Sequence, residues 1–342
     1  AYSHFVLANM FCMPYNPATA GNCLGIPYMD HAETDLNPRY ERGTLQEVYE
    51  MIGKDIEAGI PLIDDTAYSV PKYHFNYKAA CCFASRYYLF MQDWGNAIKY
   101  ATMALTSNPS SLLRDYSAIA ALPKGTSRHQ EYVNSASTAN FLLQAATSNS
   151  GLLFDWYSTA GRYSHGKLQG IYETVQPKKG GPWGSSVTFK APHAVLASSG
   201  KYVLPRTWRV FQYTDPVAGT GFNKAISVLF TSEEALLNRA EAYIMKMNED
   251  PTALDKALED INLYAANLFS AGFKSMTEAS IIKWATETYP DYSELYVGKT
   301  SVSSPQTLNP KKKLHAAPYN TLEEGGPQES MLQALIFMRR YQ

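Results

Sequence analysis

The chain has 342 residues, 45% of them hydrophobic, which is enough to bury a sizeable core in one large domain. Its 30 basic and 31 acidic residues nearly cancel, so it lacks the electrostatic footprint of a protein drawn to nucleic acid or to an anionic membrane face. No apolar run reaches the roughly 18 residues of a membrane-spanning helix.

In chain order, the first predicted element is a helix from Tyr2 to Phe11, already under way at Ala1. The last one runs from Gln328 to Gln342 and ends at Arg339-Arg340-Tyr341-Gln342 without a stop signal, with Met331, Leu332, Leu335, Ile336 and Met338 as its apolar set. Both ends lead us to expect a processed chain or a fragment, with a signal peptide or lipid anchor outside it. After a long loop from Cys12 to Arg42, Thr44-x-x-Glu47 forms a capping box, and Val48, Ile52 and Ile56 fall on one helical face.

The stretch NYKAACCFASRYYLFMQDWGNAIKYATMALTSNP fits one tetratricopeptide unit of roughly 34 residues. A frame starting at Lys78 places Ser85 at the small position, Tyr88 at the aromatic one, Ala97 and Ala104 at the alanine positions and Pro109 at the closing proline. Small residues there let two antiparallel helices approach closely, with Asp93-Trp94-Gly95 expected as the turn and Pro109 as the stop. Trp94 is expected to pack between the helices. Cys81 and Cys82 read as helix-interior thiols, since neighbouring positions on a helix face different ways and no histidine lies within local reach. A looser second unit follows at Ser232, where Ala240 and Tyr243 repeat the small and aromatic pair and Ala257 recovers the alanine.

Residues 110–230 differ in kind. They hold short β-leaning runs, VTFK and RVFQY, and a passage, GKLQGIYETVQPKKGGPWGSSVTFK, too rich in glycine for a long helix. A second irregular segment runs from Val297 to Gly326.

The order of parts resembles the SusD/RagB-like family of outer-membrane nutrient-binding lipoproteins. The residues that carry the resemblance are HFVLANMF, LGIPYMD at Leu24 to Asp30, RGTLQEVYEMIGKDIEAGIPLI at Arg42 to Ile63, the tetratricopeptide stretch, LLNRAEAYIM around Glu241, and MLQALIFMRRYQ. The fold class expected is mostly α: a tetratricopeptide-like helical-repeat scaffold with a large irregular lobe containing a few short strands. We expect one SusD-like domain over 1–342 lacking both native ends, with helical parts at 1–110, 227–296 and 327–342 and the ligand-binding lobe at 111–226. The resemblance implies a non-catalytic glycan-binding protein at the cell surface. It would be held to the outer membrane by an N-terminal lipid anchor and would deliver oligosaccharide to a TonB-dependent SusC-like transporter. A peptide-binding member of the same family is the alternative, and a tetratricopeptide adaptor a more distant one.

Sugars stack their C–H faces on aromatic rings while flanking polar groups take the hydroxyls. The lobe supplies such rings between Trp156 and Trp183, and the candidate ligand contacts are Trp183, Tyr163, Tyr172, Trp156, Tyr157 and Arg162. Trp183 leads because glycine, proline and serine flank it. Packing of these rings beneath their own loops is the competing reading. No catalytic residue, metal or cofactor is expected: GxSxG, HExxH and GxGxxG are all missing, and the seven histidines lack metal-ligand spacing. The acid pairs Asp64-Asp65, Glu233-Glu234 and Glu323-Glu324 read as solvated helix ends and loops, because adjacent carboxylates cannot face each other across a glycosidic bond. Glu241 is expected to be structural, paired with a neighbour such as Arg239 or with helix termini.

Overall fold

The computed structural model describes residues 1–34, 36, 38–123, 125–154, 181–184, 186–190, 195–197, 201–203, 206–288, 312–314 and 322–342. Helix α1 (Tyr2–Phe11) opens the chain, and α2 (Leu45–Gly59) begins at Thr44, whose hydroxyl accepts from Glu47 N–H while Glu47 reaches back to Thr44 N–H. Asn76 and Asp93 cap α3 (Tyr77–Phe90) and α4 (Trp94–Leu105) by accepting from the third backbone N–H of each helix. The short α5 (Tyr116–Ala121) and α6 (Thr126–Tyr132) lead into strand β1 (Asn140–Thr147) and the single turn α7 (Ser150–Phe154). Four strands follow: β2 (Thr188–Phe189), β3 (Val195–Ala197), β4 (Lys201–Val203) and β5 (Thr207–Asp215). The long β6 (Thr220–Thr231) runs straight into α8 (Ser232–Lys246), then come α9 (Ala253–Leu268), β7 (Phe269–Ala271), α10 (Glu278–Lys283) and α11 (Pro327–Arg339).

The expected α-rich scaffold is present. Helix α3 packs antiparallel on α4, α4 on α8, and α8 on α9, and Ser85, Ala97, Ala104, Ala240 and Ala257 are all fully buried where these helices meet. A methyl or hydroxymethyl is all the space that closely packed helix axes leave. The connection between α3 and α4 is tighter than the sequence suggests. Asp93 is already the cap of α4, so Trp94 and Gly95 lie within the helix, and the chain reverses at Gln92, which takes a positive φ of 61°. Trp94 sits half-buried against the core, and Cys81 and Cys82 are buried free thiols pushed above the ordinary thiol pKa by desolvation.

Beside α1 the core is aromatic: the ring of Phe5 meets Phe83 at 5.5 Å, and Tyr2 meets Phe83 at 5.3 Å and Phe230 at 5.7 Å. One sheet of three antiparallel strands, in the order β1-β6-β5, leans on this scaffold, with Trp208 opposite Ile226 and Val210 opposite Lys224. The pairs β2–β7 and β3–β4 form two smaller antiparallel sheets. Among the described residues no helix is long and apolar enough to cross a membrane.

Three local expectations need correction. Glu233 and Glu234 are not solvated: they are 2% and 5% exposed, because α8 starts inside the molecule and each carboxylate meets a buried or half-buried arginine. Glu234 takes both nitrogens of a fork from Arg86, at 2.6 and 2.8 Å, and Glu233 lies 3.6 Å from Arg114 Nε. Glu241 is structural, but its partner is Arg339 at 2.6 Å; Arg239, two residues away and hence on another helix face, grips Asp260 instead at 2.7 and 2.8 Å. Finally, α11 is buried nearly all round: Glu329, Ser330, Gln333 and Phe337 join Met331, Leu332, Leu335 and Met338 in the interior, while Ile336 is only half-buried.

Candidate functional site

A cleft of about 460 Å³ opens between α6, the turn that follows it, and the face of the sheet. Helix α6 and the turn contribute Ser127, Gln130, Glu131, Val133, Asn134 and Ser135; the strands contribute Trp208 and Ile226; Tyr73 closes one side from a 3-10 turn, Pro71–Tyr73. Trp208 and Ile226 share the cleft because residues paired directly across an antiparallel ladder point to the same face.

The cleft wall is anchored by buried polar groups. Arg114, 2% exposed, donates to the carbonyl of Tyr132 at 2.9 Å and to Asn140 Oδ1 at 2.7 Å, with its guanidinium 3.8 Å from the centre of the Tyr132 ring. Asn140 Nδ2 donates to the carbonyls of Tyr132 and Asn134 at 2.8 and 3.0 Å, which fixes the turn carrying Val133 to Ser135. His129 Nδ1 donates to the carbonyl of Thr207 at 3.0 Å and so ties α6 to the start of β5. Arg128 donates to the carbonyls of Ala120 and Leu122 at 3.0 and 3.1 Å, closing the α5–α6 connection.

The groups that line the cleft are freer than the groups beneath it. Glu131 accepts one bond from Asn134 Nδ2 at 3.2 Å, and Asn134 Oδ1 accepts from Ala136 N–H at 2.9 Å. Among the described residues, the side chains of Ser127, Gln130, Ser135, Tyr73 and Trp208 form no hydrogen bond or ring contact, and Tyr73 is 38% exposed. The arrangement offers two aromatic surfaces, a carboxylate, two amides and two hydroxyls to a polar ligand with apolar faces.

Of the sequence-predicted contacts, Trp183 is the one that falls among the described residues. Trp183 is 3% exposed, with its ring centre 5.0 Å from Phe269, 5.6 Å from Phe337 and 5.6 Å from Tyr341. Its neighbouring glycines serve that packing: a Cβ on Gly181 would lie 2.3 Å from the indole Cε2, and Gly184 holds φ at +92°. The ring surface is therefore taken up by the core, against rings of β7, α11 and the residues just after α11 rather than beneath its own loop. Tyr163, Tyr172, Trp156, Tyr157 and Arg162 lie outside the described residues. Sequence reasoning missed Tyr73 and Trp208. The signal available for Trp208 was its place in the alternating run RTWRVFQY; for Tyr73 there was none, since its role depends on chain segments far apart in sequence.

Among the described residues no cluster of three or more histidine, cysteine, aspartate or glutamate side chains could hold a metal ion. Residues 1–89 match the SusD-like_3 family, described as "Starch-binding associating with outer membrane". In fold, the chain is similar to a Bacteroides vulgatus protein provisionally named for sugar binding, with a TM-score of 0.52, 18% identity, and coverage of 83% of this chain and 59% of that one. It is also similar to two SusD superfamily proteins from Bacteroides thetaiotaomicron. One has a TM-score of 0.51 at 18% identity, covering 83% of this chain and 61% of the other; the second has 0.50 at 12%, covering 76% and 59%. The chain thus spans about six tenths of the length of these structures. No curated protein matches it.

Proposed function

We propose, from a chain that is SusD-like in its first 89 residues and in its fold, that the protein is a non-catalytic glycan-binding protein of the outer membrane. It captures oligosaccharide in the cleft between α6 and the sheet. The observation that carries this reading is the pair of rings at the cleft, Tyr73, which is exposed, and Trp208, which is half-buried and packs in part on the core, beside the polar side chains of Ser127, Gln130 and Ser135, which form no hydrogen bond among the described residues. A pyranose presents apolar C–H faces and a rim of hydroxyls, and a ring flanked by amides and a carboxylate satisfies both at once.

Binding rather than hydrolysis is supported by the carboxylate inventory of the cleft. Glycoside hydrolysis needs two carboxyl groups ~5 to 9.5 Å apart across the scissile bond, and Glu131 is the one carboxylate among the described lining residues. In the proposed role the chain is held at the cell surface as a lipoprotein and passes its ligand to a TonB-dependent SusC-like transporter. The family description of association with the outer membrane supports this placement. Further contacts from Trp156, Tyr157, Tyr163, Tyr172 and Arg162 belong to the same proposal and are tested in the same way.

The test is retention on gels or arrays carrying a panel of neutral oligosaccharides, with oligopeptides alongside and a reducing-sugar assay run in parallel. The expected result is glycan retention that falls roughly tenfold or more in Trp208→Ala, with no sugar released. In contrast, Trp183→Ala should lower stability by about 3 to 5 kcal/mol, as removal of a buried tryptophan does. Unchanged glycan retention in Trp208→Ala, or retention of peptide alone, would overturn the reading.

A further inference from the structure

A second, smaller cavity of about 190 Å³ is lined in part by Asp65, Lys72, Asn76, Lys78, Thr138 and Asn140. Its two asparagines are spent. Asn76 Nδ2 donates to the carbonyl of Phe141 at 2.6 Å while its Oδ1 accepts from Ala79 N–H, and Asn140 is held by Arg114 and by the carbonyls of Tyr132 and Asn134. Asp65 Oδ1 accepts from the N–H of Tyr77 at 2.9 Å, and its carboxylate sets one negative charge against the two lysines of the cavity, which leaves an excess of one positive charge.

Two ammonium groups are left facing the cavity. Lys72 Nζ donates to the carbonyl of Ser137 and otherwise reaches no carboxylate, and Lys78 Nζ stands 6.0 Å from the centre of the Phe141 ring with no ion pair among the described residues. The Thr138 hydroxyl, also at this cavity, forms no hydrogen bond among the described residues. Lys72 loses protons more readily than an ordinary lysine, first because it is desolvated and then because Lys78 and Arg114 lie close by. Two half-buried cations lining one cavity gain from an anion placed against them.

We infer that this cavity is an anion subsite, taking the carboxylate or sulfate group of an acidic sugar whose neighbouring units lie in the adjoining cleft. The inference rests on the reading of that cleft as a glycan site. Two features make the sites neighbours. Consecutive residues of the same 3-10 turn, Lys72 and Tyr73, line one cavity each, and Ser135 and Thr138 do so from the same stretch of turn. A chain lying across Trp208 and Tyr73 would thus present an acidic substituent to Lys72 and Lys78, with Glu131 in the cleft itself disfavouring an acidic unit there.

The experiment uses three probes titrated into the full chain: inorganic sulfate, a galacturonic-acid oligomer, and the methyl ester of that same oligomer, which keeps the backbone and removes the charge. The subsite predicts that sulfate binds, that the acid oligomer binds roughly tenfold tighter than its ester, and that both effects vanish in Lys78→Met. Lys72→Met should act in the same direction, and Lys78→Met keeps the test valid should loss of the Lys72 bond to Ser137 disturb folding. The preference for the acid should also shrink as salt is raised, while binding of the ester should not.

Sulfate titrations that are identical in wild type and Lys78→Met would overturn the subsite. Sulfate binding lost in Lys78→Met, without any preference for the acid oligomer, would overturn the assignment to glycan and leave a site for a free anion. Trp208-dependent binding of the ester with no sulfate response would leave the cleft standing and remove the subsite. Sulfate binding with neither oligomer bound would overturn both the cleft reading and the assignment to glycan, leaving a site for a free anion.

Discussion

Arg114 and Glu233 form the most buried ion pair described in the molecule, at 2% exposure each, and their bonds explain why the pair is tolerated in an apolar interior. Glu233 Oε1 also accepts the backbone N–H of Arg114 at 3.1 Å, and the guanidinium is shared among a carbonyl, an amide oxygen and the Tyr132 ring. Removing one partner strands the other in a medium that cannot solvate it. Glu233→Ala should therefore cost about 3 to 5 kcal/mol, read as a lower urea midpoint, although the carboxylate lines neither cavity. A surface residue shows the opposite regime. The backbone N–H and then the hydroxyl of Thr44 hold the Glu47 carboxyl below its ordinary value of 4.5. A folded-state value below the unfolded one means that the stability it lends is complete above pH 4.5 and is lost as pH falls through the lower, folded value. Glu47→Gln should remove that part of the acid limb of a stability-against-pH curve and leave a flatter profile.

At the scale of elements, the helix pairs were legible because a tetratricopeptide unit places small residues at fixed spacing, and each such position is now a helix contact. The prediction that follows concerns Ala97, which has no exposed surface where α4 packs with its neighbours. Ala97→Leu overfills that contact and should destabilise by about 1 to 3 kcal/mol, with a reduced melting temperature and no change in ligand affinity at temperatures where the protein is folded. Strands were read less fully. VTFK yields only the two residues of β2, while β6 extends for twelve, from Thr220 through Thr231, and passes across the expected edge of the lobe at residue 226. The reason is physical: β6 is half-buried along most of its length rather than buried on one face and exposed on the other, so no hydrophobic alternation marks its extent. The acid pair at the start of α8 failed for a related reason, since charge alone reads as solvent until the arginines that meet it are known.

At the scale of the whole molecule, α8 is the hub. Its Glu234 pairs with Arg86 of α3, its Arg239 with Asp260 of α9, its Glu241 with Arg339 of α11, and its Glu233 with Arg114 at the entrance to the lobe. Helical scaffold and sheet-bearing lobe are therefore fastened to one element, and β6 continues into it without a break. This connection predicts one cooperative unfolding transition, with far-ultraviolet dichroism and tryptophan fluorescence superimposing in urea; two separated transitions would show that the lobe melts alone. The sequence by itself determined the helix pairs, the Thr44–Glu47 capping box, the α-rich class and the family resemblance, because each depends on residues close together in the chain. Only the tertiary structure decided that Trp183 belongs to the core and that Trp208 and Tyr73 face a cleft. The same is true of the ion pairs that converge on α8. A tryptophan among glycines looks alike from sequence whether its ring meets solvent or three other rings, and only long-range packing settles which surface is left for a ligand.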